Sequence, residues 1–145
     1  MEKEDYTATF SVSQTPGQVF EAIKNVRKWW EGTITGSTDN IGDVFTYQYE
    51  DFHFSKQKIT ELVPDKKVAW LVIEGGPKFT NHKTEWKGTK IIFEISKKGN
   101  KTEVHFTHEG LIPRLECYDS CSDAWGSIIK GSLRTLITKE NGRTS

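Results

Sequence analysis

His108 lies in the stretch TEVHFTHEG, whose alternation puts Val104, Phe106 and His108 on one side of an extended segment and Glu103, His105 and Thr107 on the other. The apolar members mark the inner side, so His108 is carried into the interior. A histidine there has two readings: a structural hydrogen-bonder among apolar neighbours, or a polar anchor and proton acceptor for a bound molecule. No catalytic residue is assigned on this basis, and His108 is the alternative if a reaction takes place.

The remaining groups suited to chemistry form no recognisable set. Cys117 and Cys121 are four residues apart, which is neither a disulfide framework nor a complete zinc site; they read as two buried, reduced thiols on one helical face. Asp119 and Asp123 have the same spacing near the start of a helix, where negative charge suits the dipole. His53, His82, Asp51 and Glu85 match no metal motif, and no phosphate loop, nucleophile elbow or Cys-His pattern is present. The expectation is that neither metal nor cofactor is used.

What the chain does have is rings: five Trp, eight Phe and four Tyr, or 12% of all residues. Such side chains fill cores, and they also line cavities for apolar molecules. Tyr47 and Tyr49 share a face with Phe45, and Trp70 shares one with Val72. Phe93 lies with Ile91 and Ile95 on a face that reads first as core, beside Phe106 and His108 on the next strand. Trp125 and Ile129 belong to a helical stripe, and Trp29 and Trp30 stand side by side at the end of a short helix. Neighbours on a helix diverge by about 100°; one of that pair is expected in the core and the other at a cavity mouth or in solvent. Trp29, Trp30, Tyr47, Tyr49, Trp70, Phe93, Phe106, His108, Trp125 and Ile129 are the candidate ligand-binding residues.

These residues must be positioned by a definite order of elements. Ala8, Phe10 and Val12 alternate with polar residues over Thr7 to Ser13, giving a half-buried strand. In TPGQVFEAI, Thr15 can cap a helix, Pro16 take its first position and Gln18 complete a capping box. Val19, Phe20, Ile23 and Val26 follow at helical spacing, and Gly32 ends the segment. TITGST reads as a short strand, TDNIGD as a loop, and VFTYQYEDFHFSKQKITELV as two strands turning near Glu50 and Asp51. PDKK is a turn, VAWLVIE a central strand, and GGPKFTNHKTEWKG a polar loop in which Gly75-Gly76-Pro77 is a turn. TKIIFEIS and TEVHFTHEG make a hairpin around Gly99-Asn100. From Tyr118 onward Cys121, Ala124, Trp125, Ile128, Ile129, Leu133, Leu136 and Ile137 keep the helical period, with Ser120 and Asp123 as possible caps and Gly142 placed to terminate the helix.

The 145 residues suffice for one domain, 1–145 with a core of about 6–142, and no repeat or linker divides them. Twenty basic residues balance twenty acidic ones, which gives no electrostatic footprint for nucleic acid. No stretch is long and apolar enough to span a membrane, and the charged start MEKEDYTATF is no signal peptide; a cytoplasmic location is expected. One long helix with an apolar stripe and one curved antiparallel sheet of six to seven strands satisfy each other by packing, with a cavity between them where closure is incomplete.

In this order the elements resemble the START-like, or SRPBCC, helix-grip superfamily, and more narrowly its branch named after the activator of the heat-shock protein 90 ATPase. The stretches TPGQVFEAIKNVRKWW, IGDVFTYQY with ITELVPDKKVAW, GTKIIFEIS with KTEVHFTHEGL, and ECYDSCSDAWGSIIKGSLRTLI carry the likeness, the last being similar to a bacterial subgroup with paired cysteines before the Trp. The resemblance implies an α+β fold with a short helix pair after the first strand. It implies a small apolar or amphipathic ligand held between sheet and C-terminal helix. The same superfamily includes cyclase- or dehydratase-type enzymes, in which role His108 would act, and chaperone-associated proteins, for which a protein partner would be expected. Ligand identity and homodimer formation are left open.

Overall fold

The computed structural model describes residues 5–30, 32–51, 53–77, 86–112, 115 and 118–142. Seven antiparallel strands form one sheet in the order β1-β7-β6-β5-β4-β3-β2: β1 (Tyr6–Val12), β2 (Thr33–Gly36), β3 (Val44–Tyr49), β4 (His53–Val63), β5 (Lys67–Pro77), β6 (Lys90–Lys98) and β7 (Lys101–Glu109). Helix α1 (Pro16–Lys24) and a single 3-10 turn (Val26–Lys28) follow β1. A C-terminal helix runs as α2 (Tyr118–Ser127), a π-helical segment (Ile128–Leu133) and α3 (Arg134–Gly142). This is the α+β helix-grip architecture.

Local chemistry accounts for the boundaries. Thr15 caps α1 in both senses: its hydroxyl accepts from the Gln18 amide at 3.2 Å, and the Gln18 side chain accepts from the Thr15 N–H at 3.0 Å. Gly99 takes a φ of 62° in the two-residue turn between paired Lys98 and Lys101. Along the C-terminal helix the buried residues Cys121, Trp125, Ile129, Leu133 and Ile137 recur every four positions. Each such step over-rotates an α-helix by about 40°; the wider turn of the π segment takes back part of that drift, keeping the stripe against the sheet.

Three expectations are corrected. The first helix does not run into Trp29 and Trp30 to end at Gly32: α1 stops at Lys24, and only the 3-10 turn Val26–Lys28 precedes the two tryptophans. Gly75-Gly76-Pro77 is not a turn but the end of β5, with Gly75 paired to Ser55 and Pro77 to His53. Gly75 has a φ of 88°, and a Cβ there would sit 2.1 Å from the Phe54 carbonyl oxygen, so the glycine serves a close strand approach beside a register shift at Lys56/Gln57. The C-terminal helix starts at Tyr118, which leaves Ser120 exposed within its first turn rather than ahead of it. Cys121 is buried in the helical stripe; Cys117, His82 and Glu85 lie outside the described residues.

Candidate functional site

The paired tryptophans both go inward. After the 3-10 turn, Trp29 donates its indole N–H to the Ile23 carbonyl at 3.1 Å and stacks on Trp70, with ring centres 6.2 Å apart at 11°. Trp30 takes a different neighbour, lying flat on Tyr47 at 3.8 Å and 11°. Each is only 2% exposed. Trp29 is core; Trp30 is the inner wall of a cavity.

That cavity has a volume of about 260 Å³ and lies between the β3–β4 end of the sheet and the start of the C-terminal helix. Trp30, Tyr47, Tyr49 and His53 line it from the sheet side, Trp86 from the residues preceding β6. The helix contributes Ser120, Cys121, Ala124, Trp125 and Ile128. Ser120 and Ala124 are exposed and form the mouth. Trp86 and Trp125 stack at 5.7 Å and 14°, and His53 sits edge-on to Trp86 at 4.4 Å. Two wider hollows, about 500 and 630 Å³, share Thr15 and Gly17 at the start of α1, but their walls include exposed Glu21, Asn25, Lys28 and Lys97 and read as open surface.

His108 stands behind the cavity wall, fully buried, in a chain whose proton positions can be assigned. The Trp125 indole can only donate, and it donates to His108 Nδ1 at 3.0 Å. The imidazole proton is therefore on Nε2, which donates to Thr89 Oγ1 at 2.8 Å. The Thr89 hydroxyl then gives its one proton to the Trp86 carbonyl at 2.6 Å. Burial, and secondarily the nearby His53, push the His108 pKa down to about 3. Neutral and bonded at both nitrogens, the ring fixes two cavity walls, Trp125 and Trp86, and has no lone pair facing a ligand.

The structure thus divides the ten candidates. Trp30, Tyr47, Tyr49 and Trp125 line the cavity, whereas Trp29, Trp70, Phe93, Phe106, Ile129 and His108 pack behind it. Lining residues that the sequence did not mark as candidates are Trp86 and His53 and, on the helix, Ser120, Cys121, Ala124 and Ile128. Trp86 was legible as an indole in the otherwise polar KTEWKG, costly to leave in water. The inward face of β4 reads His53, Ser55, Gln57, Ile59, so polarity hid its direction. Among the described residues no three His, Cys, Asp or Glu side chains converge as a metal site, and no helix is long and apolar enough to cross a membrane.

Residues 13–138 match the family model described as "Activator of Hsp90 ATPase homolog 1-like protein". No curated protein matches the chain. Among solved structures, the Aha1 dimer from Colwellia psychrerythraea is similar with a TM-score of 0.76 at 22% identity, covering 96% of this chain and 99% of that one. Protein BH1534 from Bacillus halodurans gives 0.69 at 15%, over 94% of this chain and 99% of the other. DynU16, from the dynemicin biosynthetic locus, gives 0.67 at 16%, over 97% of this chain and 49% of the other. At these identities the likenesses establish the fold alone.

Proposed function

The chain belongs to the Activator of Hsp90 ATPase homolog 1-like family, and from that premise we propose that it binds a compact aromatic or otherwise apolar molecule in the cavity beneath its C-terminal helix. The family's scaffold serves several roles, so the site must carry the reading. The supporting observation is the wall itself: Trp30, Tyr47, Trp86 and Trp125 present ring surface around about 260 Å³ that opens to solvent at Ser120 and Ala124. A dry cavity of roughly 150 Å³ already accepts benzene, so one substituted ring fits this space. Affinity would come chiefly from buried area, at about 25 cal/mol per Å² before ordering costs. Catalysis through His108 is disfavoured because both of its nitrogens are engaged away from the cavity.

The test is a thermal-shift series with compact aromatic and alicyclic probes, indole, naphthols and isopropylbenzene among them, read in parallel by tryptophan emission. A probe at a hundred times its Kd adds about 2.7 kcal/mol, or roughly 8 °C in Tm at this chain length. A shift in Tm accompanied by a change in emission supports the reading. No shift with any probe up to its solubility limit overturns it.

A further inference from the structure

Gln57 is fully buried on the inward face of β4, and neither atom of its side-chain amide has a hydrogen-bond partner. A buried amide left unpaired is costly and calls for a reason. Gln14 Oε1, Trp86 Nε1 and Ser122 Oγ are also buried without a partner, but Gln57 is the one side chain among the described residues unpaired at two atoms, a donor and an acceptor. Its surroundings follow from the register. Gln57 lies between Phe45 on β3 and Val72 on β5; Tyr47 is opposite Ser55, and Trp70 opposite Ile59. The Phe45 and Trp70 rings meet at 5.0 Å, and Trp30 touches both Tyr47 at 3.8 Å and Trp70 at 5.9 Å. Rings rooted on β3 and β5 can meet only by passing over β4, so this layer roofs Ser55 and Gln57. Trp30 is at once the inner wall of the cavity and part of that roof.

A polar row therefore leads inward from the cavity. His53 is in its wall, His53 Nε2 lies 2.8 Å from Ser55 Oγ, and Gln57 follows roughly 7 Å further along the strand. We propose that Ser55 and Gln57 form an inner polar subsite of the cavity, reached when the Trp30 indole swings off Tyr47, and that the ligand is a compact aromatic molecule bearing a planar donor–acceptor group, a carboxamide or its equivalent, which pairs with the Gln57 amide. This rests on the cavity being a binding site and adds the chemistry of the ligand's inner end. An amide matches Gln57 because it offers one acceptor and one donor in a plane, the complement of what Gln57 leaves unpaired.

The experiment compares benzamide with isopropylbenzene, which has the same number of heavy atoms and no polar group, by calorimetric titration of the wild-type chain and of Gln57→Met. The variant loses no protein partner, so its Tm equals or exceeds the wild-type value. Benzamide affinity falls about tenfold in the variant, the loss of one good hydrogen bond, while isopropylbenzene affinity stays within twofold. On the wild-type protein, the Gln57 side-chain amide resonances shift with benzamide and stay in place with isopropylbenzene, a readout independent of how the variant folds. Equal benzamide affinity in both proteins, or an unmoved Gln57 amide in the benzamide complex, overturns the inner subsite while isopropylbenzene binding leaves the cavity reading standing. Absence of benzamide binding overturns the inner subsite, and the cavity reading falls with it when indole, the naphthols and isopropylbenzene are silent too.

Discussion

The Trp125 indole and the Thr89 hydroxyl decide what His108 can be. With Nδ1 accepting from Trp125, a second ring proton has no place without breaking that bond, and burial holds the folded pKa near 3 against an ordinary 6.5. The unfolded chain therefore binds a proton that the folded one refuses between those values. Stability from this residue is fully present above about pH 6.5 and drains as pH falls toward 3, by up to about 1.4 kcal/mol per unit. His108→Gln keeps a donor and an acceptor but does not titrate. Urea unfolding at pH 7 and pH 5 should show the wild-type protein losing about 2 kcal/mol more than the variant over that interval; equal losses would mean that His108 is not the buried neutral group. Alternation in TEVHFTHEG was enough to send this side chain inward. Its engagement was not legible, because Thr89 and Trp125 are brought to it by the turn leading into β6 and by the helix rather than by sequence proximity.

Glycines separate the elements that local sequence specifies from those that tertiary pairing specifies. Gly99 and Gly75 both have positive φ, 62° and 88°. An added Cβ at Gly99 meets nothing within 4 Å, whereas at Gly75 it meets the Phe54 carbonyl at 2.1 Å. Gly99→Ala should thus cost only the left-handed backbone penalty, about 1–2 kcal/mol. Gly75→Ala should cost more than about 3 kcal/mol, since β4 and β5 must also separate. Urea midpoints of the two variants give the comparison, and similar losses would contradict the close approach. Thr15→Ala removes a satisfied cap and should lower stability by about 1 kcal/mol. The Thr15 box, the Gly99-Asn100 turn and the helical stripe could be read from sequence because each is settled within a few residues. Gly75-Gly76-Pro77 misled because turns and strand bulges use the same residues, and only the Phe54 backbone, twenty-one residues before Gly75 in sequence, distinguishes them. The π segment is visible only as a stripe spaced by four, a pattern that a plain α-helix would let drift.

At the scale of the molecule, all five tryptophans belong to one set of ring contacts. Trp29 and Trp30 arrive after α1, Trp70 on β5, Trp86 ahead of β6 and Trp125 on the C-terminal helix, and each has a ring neighbour from another element. The fold was legible because element order alone demands a sheet gripping a helix; the cavity was not, because it depends on which rings leave space where they meet. Since that cluster couples sheet, α1 and C-terminal helix, none of them can loosen without moving an indole. Unfolding followed by tryptophan emission, which reports the cluster, should therefore share its urea midpoint with far-UV circular dichroism, which reports sheet and helices together. All five indoles are at most 4% exposed, so iodide should quench native emission weakly and the unfolded chain strongly, with the change at that same midpoint. An emission change well before the loss of secondary structure would mean that the cluster opens independently, and that the cavity wall is a separate, softer layer on a sheet that survives without it.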